Sequence, residues 1–208
     1  MKQFWSFVCL ISTLFLFSAC GMTQELDEAL DVSKELRSTL TEQEKLTEEL
    51  LNKIERIQSA FESDLESQPE TGLFNEEEGK LYKNFTERET LLSSLKDGQK
   101  TLNSLQSEIQ RIVKKQAVDV DNTKLELISS SLQIILNNYD SLILYMETGF
   151  EQETALYTNL PVDNLEDQGS VIYRTYGSVS MVGEEMISNM EYTVSLIKEF
   201  QTTASIKK

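Results

Sequence analysis

The chain has 208 residues, and 35 acidic against 19 basic side chains give it a formal net charge of −16 at pH 7. A charge of this sign repels nucleic-acid phosphates, which argues against a DNA- or RNA-binding protein. The sequence contains no histidine, so catalysis by an imidazole base and metal sites built on imidazole are both excluded.

The N-terminal residues have the pattern of an export signal. Lys2 supplies a short positive start, and residues 4–17 form a run of about 14 mostly apolar residues, which is too short for a typical membrane span. A buried core helix is the alternative, but an apolar run directly behind a lysine and ahead of an acidic segment at Glu25 fits export better. We therefore predict that residues 1–19 are a lipoprotein signal peptide.

The end of this signal, Phe17-Ser18-Ala19-Cys20, resembles the bacterial lipobox. In a lipobox the cysteine thiol receives a diacylglycerol group, the peptide bond before it is cut, and the preceding residues are small. Phe17 stands where leucine is commonest. Because Cys9 would leave with the signal peptide, Cys20 would have no disulfide partner in the mature chain.

The lipobox resemblance implies that Cys20 carries diacylglycerol and an N-acyl chain such as palmitate. No other cofactor and no metal are expected. More than one acyl chain anchors a protein stably to a membrane. The predicted location is therefore the outer face of the cytoplasmic membrane, with residues 20–24 as the lipidated N-terminus and a short tether.

Behind the tether, apolar residues recur at alternating spacings of three and four, which is the period of an amphipathic helix. The first such segment covers about residues 23–65 and ends before Pro69, because proline stops a helix. The second covers about residues 75–116. Arg88 on its apolar line predicts a partly wet interface, and Gly98 predicts a weak point in the helix.

A third helix is predicted to begin at Asp121 or Asn122, which are good N-caps, to be interrupted at Gly149 and to resume to Leu160. Pro161 is typical of the first position of a helix and predicts the start of a fourth.

The expected fold class is therefore all-α. We predict an elongated antiparallel bundle of three to four long amphipathic, coiled-coil-like helices, with residues 25–208 forming a single domain. Helices of about 40 residues would make this domain about 60 Å long.

Two segments carry a family resemblance: NFTERETLLSSLK at 84–96 and NNYDSLILYMETGFEQETALYTNL at 137–160. Together with the lipobox, they resemble the YkyA-type cell-wall-binding lipoproteins of Gram-positive bacteria. The matching elements are Glu87-Arg88-Glu89, Tyr139, Tyr145 and Leu156-Tyr157, while Asn138 replaces the family's arginine and Glu153 stands near its expected acid. The resemblance implies wall binding and transfers no catalytic residue.

Acidic residues suggest two further sites, and both have simpler explanations. The segment 119–130 begins like a calcium loop but lacks the glycine at its sixth position and the glutamate at its twelfth, so a capped turn is favoured. Neighbouring carboxylates such as Glu184 and Glu185 point about 100° apart on a helix instead of converging, which argues against paired catalytic acids. We therefore expect a protein that is not an enzyme.

The tyrosines are the better candidates for a binding surface, because six of the seven lie in the C-terminal half and tyrosine can stack on sugar rings. The candidate surface residues are Tyr139, Tyr145, Tyr157 and Tyr173. Core packing is the alternative, since Tyr139 and Tyr176 fall on apolar helix lines. Glycines nearby could thin the wall of a pocket or permit close helix packing; they are Gly149, Gly169, Gly177 and Gly183.

Two functional hypotheses follow. The first is a non-enzymatic, lipid-anchored rod that binds the cell wall or acts as an adaptor for an envelope protein. The second is an extracytoplasmic lipoprotein that binds a ligand or glycan through its tyrosine-rich C-terminal half. Because a chain at −16 should be repelled by a polyanionic wall polymer, peptidoglycan glycan or an envelope protein is the easier partner.

Overall fold

The computed structural model describes residues 2–67 and 72–207, with side chains described for 24–67 and 72–204. It is 89% helical, and the described residues contain no strand. The helices are α1 (Lys2–Glu55), α2 (Ile57–Ser67), α3 (Gly79–Lys115), α4 (Asn122–Thr158) and α5 (Leu165–Lys207). The predicted all-α class is confirmed. In the ranges described, no helix has both the length and the apolar character needed to cross a membrane.

The four long helices form an antiparallel bundle in which α1 packs against α3 and α5, and α4 packs against the same two helices. At one end Lys53 of α1 pairs with Glu87 near the start of α3. At the other end Arg111, near the end of α3, pairs with Glu28 near the start of α1. We call the Lys53–Glu87 end the distal end and the Glu28–Arg111 end the proximal end.

The core follows the apolar lines that the sequence predicts. Fully buried side chains occur along the length of the bundle, among them Leu36, Leu50, Leu95, Leu132, Leu142, Met186 and Ile197. Burial of such side chains contributes about 1.5–3 kcal/mol each relative to exposure, so this continuous core accounts for the association of the helices.

Several predicted helix boundaries are wrong. Gly149 does not interrupt α4, which runs unbroken to Thr158, and α5 begins at Leu165 instead of Pro161. The first segment is divided at Arg56, where the backbone N–H bonds to the carbonyl three residues back, on Lys53. This tighter turn ends α1, and α2 begins at the next residue, Ile57.

The loop before α4 is a capped turn, as predicted. The carboxylate of Asp121 accepts a hydrogen bond from the backbone N–H of Lys124 at 3.0 Å. The amide of Asn122 donates to the carbonyls of Ala117 and Val120. These bonds close the turn and satisfy a free N–H at the helix start.

Gly98 is a site of close packing and not a weak point. A Cβ at this position would overlap the side-chain amide of Gln43, which packs against the glycine from α1. The hydroxyl of Tyr139, on α4, donates to Oε1 of Gln43 at 2.8 Å. Gly98 therefore makes room for a buried hydrogen bond that joins two diagonally opposed helices.

Candidate binding site at the distal end

The distal half of the bundle contains a buried ion pair between Arg88 of α3 and Glu153 of α4. Nη1 and Nη2 of Arg88 donate to Oε1 and Oε2 of Glu153 at 2.9 and 2.7 Å. Both side chains have 0% exposure. Two parallel bonds are the strongest arrangement available to an arginine and a carboxylate, and they offset part of the cost of burying both charges. The partly wet interface predicted at Arg88 is therefore wrong.

The remaining donors of Arg88 are also used. Nε donates to the amide oxygen of Asn84 at 2.7 Å, and Nη1 donates to the hydroxyl of Tyr176 on α5 at 2.6 Å. Asn84 in turn donates to the backbone carbonyl of Lys53, on α1, at 2.9 Å. We call Asn84, Arg88, Glu153 and Tyr176 the Arg88 centre. It links all four long helices at one level of the bundle.

Three aromatic rings surround the guanidinium group. Cζ of Arg88 lies 5.8 Å from the ring centroid of Phe85, 5.4 Å from that of Phe150 and 5.1 Å from that of Tyr176. Rings at these distances attract a cation and exclude water. The guanidinium group of Arg88 is thus enclosed by aromatic carbon.

Protonation at the centre follows from its surroundings. Burial by itself lowers the pKa of Arg88, but the charge of Glu153 together with hydrogen bonds to Glu153 and Tyr176 raises the pKa above its ordinary value. Burial and the charge of Glu153 raise the pKa of Tyr176. Arg88 is therefore charged and Tyr176 protonated at neutral pH.

Gly149 is required by this arrangement. A Cβ there would lie 2.6 Å from Cζ of the Tyr176 ring, a distance that real Cβ contacts do not show. The absence of a side chain at Gly149 lets Tyr176 approach α4 and place its hydroxyl beside Arg88.

An aromatic cavity of about 500 Å³ opens next to the centre. It lies between the α1–α2 turn and the facing surfaces of α4 and α5. The space is open because α2 packs against α1 and α3 and, in the described chain, makes no close backbone approach to α5. The side chains that give it its apolar character are Ile54, Phe61, Tyr157, Ile172, Tyr173 and Tyr176. The volume falls within the range of about 300–1,000 Å³ that is usual for ligand sites.

The cavity combines fixed and accessible rings. Tyr157 is held by stacking on Phe61, with centroids 5.4 Å apart, and by an edge contact with Phe74 at 5.3 Å. Tyr173 is 51% exposed. Partial burial, with the nearby charge of Glu62, raises the pKa of Tyr173, so its hydroxyl stays protonated. A rigid floor and an accessible phenol ring suit stacking on a flat ligand face.

Of the four glycines in this region, two line the cavity and two permit close helix packing. Gly169 and Gly177 line the cavity, and a Cβ at either position would have no atom within 4 Å. Gly149 and Gly183 permit close packing, against Tyr176 and Leu51 respectively.

Of the four tyrosines predicted to form a binding surface, the structure brings only two together at the cavity. Tyr157 and Tyr173 both line the cavity, and Tyr176 joins them from the core. Tyr139 does not belong to a surface, since it has 0% exposure and its hydroxyl is bonded to Gln43. Tyr145 is 37% exposed, but it is not among the residues that line the cavity.

Sequence reasoning missed the Arg88 centre, although a signal for it exists. Glu153 continues the apolar line of Met146 and Gly149 on α4, just as Arg88 interrupts the apolar line of α3. Opposite charges on the apolar lines of two antiparallel helices indicate a buried pair, because neither charge is tolerated there alone.

The predicted lipidation site lies outside what the structure describes at the level of side chains. Phe17, Ser18, Ala19 and Cys20 are within α1, but their side chains are not described. Among the described residues, no group of three or more acidic or cysteine side chains could hold a metal ion.

Comparison with known proteins gave no relatives. No protein-family model, no curated protein and no solved structure matches the chain significantly.

The requirement for Gly149 can be tested by Gly149→Ala. The added methyl group should displace the Tyr176 ring from Arg88 and lower the free energy of unfolding by about 1–3 kcal/mol, despite the higher helix propensity of alanine. The matched control is Gly177→Ala on α5, where the space is open and stability should rise by up to about 1 kcal/mol. Urea unfolding followed by circular dichroism measures both. Equal stabilisation by the two substitutions would contradict the packing described.

Proposed function

We propose that the chain is a non-enzymatic, lipid-anchored cell-envelope protein whose helical bundle binds a glycan in the aromatic cavity at its distal end. The observation that carries this proposal is the convergence of Tyr157, Tyr173 and Tyr176 on one cavity of about 500 Å³. Aromatic rings beside hydrogen-bonding groups are the usual means of holding a sugar ring, which has apolar faces and a polar rim.

The polar groups at the cavity fit this ligand. Ser170 and Ser180 offer hydroxyl groups, and Glu55 and Glu166 offer carboxylates, all among the lining residues. These groups accept hydrogen bonds from sugar hydroxyls, and the serines also donate. The peptidoglycan glycan is the proposed wall ligand, in keeping with the resemblance to the YkyA-type wall-binding lipoproteins.

The proposed anchor and the cavity are far apart along one helix. Both Cys20 and Ile54 belong to α1, and a rise of 1.5 Å per residue separates them by about 50 Å. If Cys20 is lipidated at the outer face of the membrane, the cavity is held well outside the headgroups. A helical rod of this kind serves as a spacer that presents a binding site to the wall.

Binding of an envelope protein is the second candidate. Leu127, Ile134 and Tyr145 are exposed on α4 at spacings of seven and eleven residues, which places them along one stripe of the helix. Exposed apolar side chains arranged in this way are typical of a surface that packs against a partner helix.

The anchor is tested by Cys20→Ser. The variant should keep its unprocessed length and carry no lipid mass, because it has no thiol for acylation. Cys9→Ser, in the predicted signal peptide, is the matched control and should be processed and anchored normally. Membrane fractionation and mass spectrometry read both outcomes. A Cys20→Ser protein that is still shortened and membrane-bound would rule out the lipid anchor.

The cavity is tested by Tyr173→Ala. Retention on purified peptidoglycan should fall by about tenfold, since loss of one stacking ring costs on the order of 1–1.5 kcal/mol. Tyr192→Ala is the matched control, because Tyr192 on α5 has a similar exposure, 57% against 51%, but does not line the cavity. Circular dichroism should show unchanged helicity in both. Unchanged retention in Tyr173→Ala, or an equal loss in both variants, would contradict glycan binding in the cavity.

A further inference from the structure

The charge of the protein is unevenly distributed, and one surface groove is lined mainly by basic side chains although the chain as a whole is acidic. This groove has a volume of about 410 Å³ and lies between the α1–α2 turn and the start of α3. Four basic side chains line it: Lys53, Arg56, Lys80 and Lys83. Among the described residues that line it, Glu87 is the one acid. We call it the basic groove.

The groups in the basic groove are positioned by neighbours on three helices. Lys53 on α1 pairs with Glu87 on α3 at 2.5 Å, and Lys80 donates to the hydroxyl of Ser63 on α2 at 2.9 Å. Arg56 and Lys83 are exposed. The ammonium groups of Lys53 and Lys80 are therefore held in place, while Arg56 and Lys83 face solvent.

The positive field in the groove acts on the acid within it. The hydrogen bond from Lys53 lowers the pKa of Glu87, burial opposes this, and the charges of Lys53, Lys83 and Arg56 lower the pKa further. Three cations thus act on one carboxylate. Because that carboxylate neutralises one positive charge, the lining retains a surplus of three.

The net charge of −16 does not cancel this local surplus. At physiological salt, charges separated by more than about 8 Å are largely screened, so an anion in the groove is affected mainly by the groups around it. The adjoining hollow adds Lys45 together with Glu48 and Glu49, and it reduces the surplus without reversing it.

We infer that the basic groove binds the phosphate groups of a phosphodiester polymer, the chemical class of an anionic wall polymer. Its cations come from the α1–α2 turn and from α3, and they are distributed along an open groove instead of enclosing one point. Such a distribution favours repeated anionic groups on one chain, which neutralise several cations at once. The repulsion expected from the net charge therefore does not hold at this surface.

The position of the groove favours a polymer over lipid headgroups. Arg56 follows α1, about 50 Å along that helix from Cys20. This part of the inference rests on the proposed lipid anchor; anion binding itself does not. The short helix α2 separates the basic groove from the aromatic cavity, with Ser59 and Ala60 lining the groove and Ile57 and Phe61 lining the cavity. The two sites are therefore adjacent but chemically independent.

The inference is tested with the full chain in nanodiscs of phosphatidylcholine and with fluorescently labelled inorganic polyphosphate as the probe. Arg56→Glu combined with Lys83→Glu should weaken binding by at least about tenfold. The control pairs Lys114→Glu with Lys198→Glu, two exposed positions away from the groove, and should change binding by less than about twofold. Absence of binding by the unaltered chain, or an equal loss in both double variants, would overturn the inference.

Further measurements separate the possible sources of phosphate. Inorganic phosphate at matched phosphorus concentration should compete at least about tenfold less well than unlabelled polyphosphate, because a single anion neutralises fewer cations. Equal competition would overturn the polymer assignment. So would groove-dependent binding to phosphatidylglycerol vesicles without binding to polyphosphate. Tyr173→Ala should leave polyphosphate binding unchanged, so the glycan proposal and this inference can fail separately.

Discussion

The pairing of Arg88 with Glu153 imposes the constraint on which the distal end depends. Both charges have 0% exposure, and an unpaired charge at such a depth costs several kcal/mol, about 3–5 when one partner is removed. The pair is tolerated because each guanidinium nitrogen has an acceptor and both carboxylate oxygens are bonded. Satisfying these bonds sets the register of α3 against α4 and the approach of α5.

The proposed binding surfaces lie beside this constraint. Tyr176 belongs to both the Arg88 centre and the aromatic cavity, so the ordered core supplies one wall of the cavity. The short helix α2, which follows Arg56, packs against α3 and not against α5 in the described chain, and it has the aromatic cavity on one side and the basic groove on the other. The distal end thus has a buried hydrogen-bonded core, the Arg88 centre, with an aromatic cavity and a basic groove beside it.

The sequence predicts the four long helical segments and the Asp121 cap, since these depend on local periodicity and turn chemistry. It does not predict which tyrosines are exposed. Tyr139 bonds to Gln43 on the helix diagonally opposite, whereas Tyr173 lines the cavity beside α2. This difference depends on how the helices pack and not on the local sequence. Nor does net charge reveal the basic groove, because Lys53 and Lys83 are brought together by the antiparallel fold.

Hydrogen–deuterium exchange on the full chain carrying Glu153→Gln tests whether the distal end depends on the Arg88–Glu153 pair, because this substitution leaves the charge of Arg88 buried without its partner. The control is Glu147→Gln, on the same helix as Glu153. It removes the exposed partner of Lys96, which lies on α3. Backbone exchange should be at least about tenfold faster at 84–92, 149–157 and 172–177 in Glu153→Gln, with no change at the proximal end. Faster exchange spread evenly along the bundle, or exchange identical to that of the control, would contradict the dependence of the distal end on this ion pair.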